Sequence, residues 1–156
     1  MDGILAALEA SAVAQHLRGA RWEYAAANTA HVLGIALLVG AIVPLDLRLL
    51  GVWRSVPRQD LARVLVPVAA SGLALAAAAG VLLFATRAGE YGDLGLFQVK
   101  MALVAAGALA ALALHVRTGW WLEGADDRRL AGHAAISLIC WLGGLVCGRL
   151  VAFAGP

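Results

Sequence analysis

Several polar side chains lie where the chain is otherwise too apolar to solvate them: His31, Asp46, Lys100, His115, His133 and Arg149. In a bilayer such groups must find a partner within the protein, because lipid offers none. His31 stands about two turns into the uncharged run Tyr24–Leu45. A neutral imidazole there can ligate haem iron through a ring nitrogen, or it can hydrogen-bond to a neighbouring helix, for example at Thr29 or Ser71. Lys100 interrupts a second apolar run and is the only lysine in the chain. It can pair with a propionate or a substrate carboxylate, or reach up to the lipid headgroups. Arg149 can serve as a second propionate partner or as a boundary residue, since guanidinium groups suit carboxylates. His115 and His133 fall on consecutive predicted helices and could clamp a metal or a second haem. Two histidines without a thiol or acid at regular spacing are few ligands for a metal. Asp46 and Arg48, two residues apart, are expected to form a charged lock at a helix end, with a loop arginine as a further partner and a proton relay as the alternative role.

The elements that must position these groups are membrane helices. Hydrophobic residues make up 62% of the chain and charged ones 14%, whereas soluble domains carry roughly 25% charged residues. The apolar runs predict spans over about 22–51, 62–87, 94–118 and 129–152, joined by short loops. The fold class expected is an all-α, antiparallel four-helix transmembrane bundle forming a single domain. Residues 2–18 have amphipathic helical spacing and are expected to lie in the interface. Trp22 and Tyr24 at one end, with Trp53, Trp120 and Trp121 at the other, suit an aromatic belt. Met1-Asp2-Gly3 lacks the basic start of a signal peptide, so no cleaved leader is expected. A net charge of +2 gives no footprint for nucleic acid.

At 1.5 Å per residue, His31 lies about 10 Å below the boundary at Tyr24, and Lys100 about 9 Å below Leu94. His31, Lys100 and Arg149 are thereby expected to share one polar layer, drawn from three helices. His115 and His133 belong to a layer at the other end. Arg48, Arg54, Arg58, Arg63, Arg117, Arg128 and Arg129 lie on that other side. They outnumber Arg18, Arg21, Arg87, Lys100 and Arg149 on the first. The positive-inside rule then places the arginine-rich loops in the cytoplasm and both termini outside. Cys140 and Cys147 read as small packing residues. Gly144 and Gly148 form a GxxxG spacing that allows close helix packing, within the bundle or in a homodimer or larger membrane complex.

The first-span sequence AHVLGIALLVGAI and the third-span start LGLFQVKMALV resemble the four-helix membrane domain of the copper-resistance CopD proteins and of HemJ-type protoporphyrinogen oxidases. The DLRLLG and GRLVAF motifs also resemble a bacterial family of four-span membrane proteins. The HemJ-type resemblance implies that His31 ligates b-type haem and that Lys100 accompanies it. The chain departs from that pattern at Phe97-Gln98-Val99, where a histidine would precede the lysine motif. Copper handling calls for clustered Met, Cys or His ligands, and the only methionines are Met1 and Met101. The expected function is a small haem b protein of a bacterial-type inner membrane, acting in electron transfer or in oxidation of a membrane-soluble substrate. The rival readings are a non-enzymatic accessory subunit and a CopD-like copper-handling protein.

Overall fold

The computed structural model describes residues 2–122 and 126–154. The N-terminal segment is two short helices rather than one. α1 (Asp2–Glu9) ends at a turn, and Ser11 caps α2 (Ala12–Gly19) by accepting a hydrogen bond from the Ala14 amide at 3.3 Å. The same hydroxyl donates to the Leu8 carbonyl at 2.7 Å. Serine satisfies backbone groups that a continuing helix would satisfy itself, which is why it breaks the amphipathic run.

Four long helices follow: α3 (Arg21–Leu49), α4 (Arg58–Thr86), α6 (Gly95–Thr118) and α7 (Asp127–Ala154), with the short α5 (Ala88–Gly92) between α4 and α6. All four long helices are long and apolar enough to cross a membrane. Short connections force consecutive spans to run antiparallel. Their outer faces carry exposed Val32, Leu33, Val64, Leu109, Leu112 and Ile139. That surface suits lipid, and the protein is a multi-pass membrane protein. α4 starts earlier than its apolar run because Pro57 precedes its first turn, where a missing amide costs little. The added turns carry the exposed pair Arg63–Asp60, 3.9 Å apart. Of the charged connection Glu123–Arg129, residues 123–125 lie outside the described residues.

The helices pack unequally. α3 lies along α4, α6 lies along α7, and α3 also meets α7, while the backbones of α4 and α6 stay apart. Side chains bridge that gap near one end, where Phe84 and Phe97 stack with centroids 5.1 Å apart and Tyr91 tilts onto Phe97. α1 and α2 pack over this same end, and Glu9 accepts a hydrogen bond from the Gly89 amide at 2.7 Å. The opposite end is closed by a hydrophobic cluster that includes Leu45, Leu49, Val66, Leu122 and Leu130.

The tightest contact is between α3 and α4. A Cβ at Gly34 would lie 2.5 Å from the Ala76 nitrogen, and one at Gly72 would lie 2.6 Å from the Leu38 nitrogen. Backbone meets backbone there, and only glycine permits it. The GxxxG face of α7 is occupied within the chain. Gly144 faces Val104 and Gly148 faces Lys100, both on α6.

Gly34→Ala should therefore destabilise the bundle by about 1–3 kcal/mol through overpacking. Gly40, which has no atom within 4 Å of an added Cβ, should tolerate alanine without loss. Thermal unfolding of the two variants in one detergent checks this; equal midpoints would contradict it.

Candidate functional site

Two separate polar regions occupy the bundle. The first centres on His31. Its position on α3 is one turn before Gly34, so the close α3–α4 approach carries the ring onto α4. Nδ1 lies 2.7 Å from the Ala76 carbonyl oxygen. A carbonyl can only accept, so Nδ1 bears the hydrogen, and in the neutral ring Nε2 keeps its lone pair. Gly80 makes room for the ring: a Cβ there would lie 3.0 Å from His31 Cε1. The alternative partners are engaged elsewhere, since Thr29 bonds to the Ala25 carbonyl and Ser71 to the Val68 carbonyl, each within its own helix.

Lys100 comes from α6 and its charge bears on the His31 ring. Its aliphatic stem lies along Gly148, with Cε 3.4 Å from the position of a Cβ there. Its Nζ stands 5.8 Å from the Phe97 ring centroid, towards the α1–α2 end. No carboxylate among the described residues pairs with it. Arg149 is separate from this pair. It is exposed and stacks on Phe153 at 4.7 Å, the position of a boundary residue rather than of a third member of the layer.

The second region lies towards the other end, in a cavity of about 170 Å³ between all four long helices. His115 and His133 both line it. The ring of His115 stacks on Trp120 at 5.5 Å. The pocket is smaller than the roughly 300–1,000 Å³ typical of organic ligand sites, which leaves no room for a second haem. Among the described residues, no three or more His, Cys, Asp or Glu side chains are grouped so that they could hold a metal ion.

Asp46 belongs to this cavity, and the expected lock with Arg48 is not formed. Residues two apart on a helix point to different sides. Arg48 turns to the loop, donating from Nε to the Val56 carbonyl at 2.6 Å and from a terminal nitrogen to the Arg54 carbonyl at 3.3 Å. Asp46 turns inward and is 5% exposed, and Ser137 on α7 lines the same cavity. Asp46 Oδ2 has no partner, nor do His115 Nδ1 and Trp141 Nε1. All three residues line the one cavity. Trp141 carries no signal of a site residue in the sequence, and Asp46 reads there as half of a charged lock. The available signal was that Asp46 lies one turn beyond Ile42 and two beyond Leu38, on the inward side of α3.

Comparison with known proteins adds nothing to this geometry: no family model, curated protein or solved structure matches the chain.

Proposed function

We propose that the protein is a small haem b protein of a bacterial-type inner membrane, in which His31 would hold the iron. The observation that carries this reading is the His31 Nδ1–H bond to the Ala76 carbonyl. A metal-bound histidine characteristically donates its other ring N–H to a carbonyl or carboxylate, which fixes the tautomer and the ring plane. Here that bond leaves Nε2 as the donor atom. Lys100 supplies a half-buried cation with no carboxylate partner among the described residues, suited to a propionate. Haem would supply one-electron chemistry whose potential depends on the axial ligand and on burial. His31 would orient it, Lys100 would hold an acidic edge, and the packed spans would exclude water. The CopD and HemJ-type resemblance in the first and third spans agrees with this assignment. Electron transfer and oxidation of a membrane-soluble substrate are both open to such a centre.

A second reading rests on the same bond. His31 could act only as a strap between α3 and α4, as in an accessory subunit of a membrane complex. The reduced-minus-oxidised visible spectrum of protein produced with ample haem separates the two. The haem reading predicts a b-type spectrum that is lost or strongly shifted in His31→Ala. Lys100→Met should keep the spectral shape and lower occupancy, and His133→Ala should change neither. Wild-type protein without haem, or an unaltered spectrum in His31→Ala at full occupancy, would leave the strap as the role of His31.

We also propose that the segment 51–63, with Arg54, Arg58 and Arg63, faces the cytoplasm and both termini face outward, from the distribution of basic residues. In a background lacking Cys140 and Cys147, Ser55→Cys should resist an impermeant maleimide in intact cells and react after lysis. Labelling before lysis would reverse the orientation.

A further inference from the structure

The cavity holding Asp46 is unexplained by the haem reading and does not depend on it. It encloses three buried polar atoms without partners: a carboxylate oxygen, an imidazole nitrogen and an indole N–H. An unmade hydrogen bond at such depth costs about 1–3 kcal/mol for each group, so an occupant is required. The indole can only donate and an ionised carboxylate can only accept. A metal cation would satisfy the carboxylate and leave the indole unmet, whereas water both accepts and donates. At about 30 Å³ for each water, a cavity of about 170 Å³ has room for several molecules.

The surroundings of Asp46 narrow its chemistry. α6 presents His115 to the cavity, and α7 presents His133 and the Ser137 hydroxyl. α4 presents only apolar side chains, such as Val66 and Leu73. Among the described residues, no lysine or arginine lines the cavity. A carboxylate charge buried without a cation is neutralised by a proton or by a bound ion. The route in favours the proton. On the loop side lies an open pocket lined by Arg48, Arg54, Arg58 and Arg128 together with Asp127. A rim rich in arginine disfavours metal cations and admits neutral water. Leu49 lines both the open pocket and the inner cavity, and it is 9% exposed. It stands as the wall between them.

We propose that this cavity is an internal water site whose proton-binding group is Asp46, filled from the arginine-lined pocket past Leu49. Protonation transfers one proton from hydrated acid in the cavity to a carboxylate oxygen and leaves water behind; release reverses the step. His115 and His133 are the bases within the same chamber that can share that proton through water. Ser137 lines the same chamber.

Infrared spectroscopy of the full chain in lipid nanodiscs, titrated over pH in H₂O and D₂O, tests this. The expected result is a protonated-carboxyl band that titrates, disappears in Asp46→Asn and moves down in frequency in D₂O as the proton exchanges. Ser137→Ala should shift the frequency of that band by removing a hydroxyl from the cavity lining, which assigns it to Asp46 even if Asp46→Asn folds poorly. Leu49→Ala should speed the exchange by about tenfold without moving the band, as local opening past the wall becomes easier. No titrating band, a band insensitive to both Asp46→Asn and Ser137→Ala, or a band that fails to exchange within hours would overturn the water-filled proton site. An unchanged exchange rate in Leu49→Ala would overturn the route.

Discussion

The backbone contact between α3 and α4 governs the rest of the structure. Gly34 and Gly72 let the two helices approach until an added methyl on either would strike the other's main chain. Between membrane helices there is no water to expel, so close packing and hydrogen bonds supply the attraction. The approach places His31 within reach of the Ala76 carbonyl, and Gly80 leaves space for the ring. A bond of this kind contributes only about 0.5–1.5 kcal/mol. Its larger effect is on chemistry, because it selects which nitrogen of His31 keeps a lone pair.

The same economy of small residues appears on the other helix pair with a different result. Gly107 on α6 admits the Trp141 ring, whose Cε2 would lie 3.0 Å from an added Cβ, and Gly148 on α7 admits the stem of Lys100. Each large side chain is thus received by a glycine on its neighbour. α4 and α6 do not close on each other, and the space between the pairs becomes the Asp46 cavity at one end and the Phe84–Phe97 stack at the other. The two polar regions are held apart along the bundle, so changes in one can be made without touching the other.

The spans were legible because a long uncharged run has few other uses, and α3, α4, α6 and α7 fall within a few residues of the runs that predict them. The expected depth of His31 and Lys100 followed from helical rise alone. What the sequence hid was direction around the helix axis. Asp46 and Arg48 are neighbours in sequence and look paired, yet one turns to the cavity and the other to the loop carbonyls. Arg149 shares the depth of Lys100 but points outward onto Phe153. The break at Ser11 was masked by the apolar periodicity on either side of it, since capping depends on one hydroxyl rather than on a pattern.

The central claim is that the α3–α4 contact fixes His31 with its hydrogen on Nδ1 and a bare Nε2. Solid-state nitrogen NMR of ring-labelled His31 protein in lipid, prepared without haem, reads this directly. The expected spectrum has a protonated Nδ1, hydrogen-bonded to the Ala76 carbonyl, and an unprotonated Nε2. That pattern should be lost when Gly34→Ala separates the helices. A His31 signal with the hydrogen on Nε2, or one indifferent to Gly34→Ala, would contradict the account.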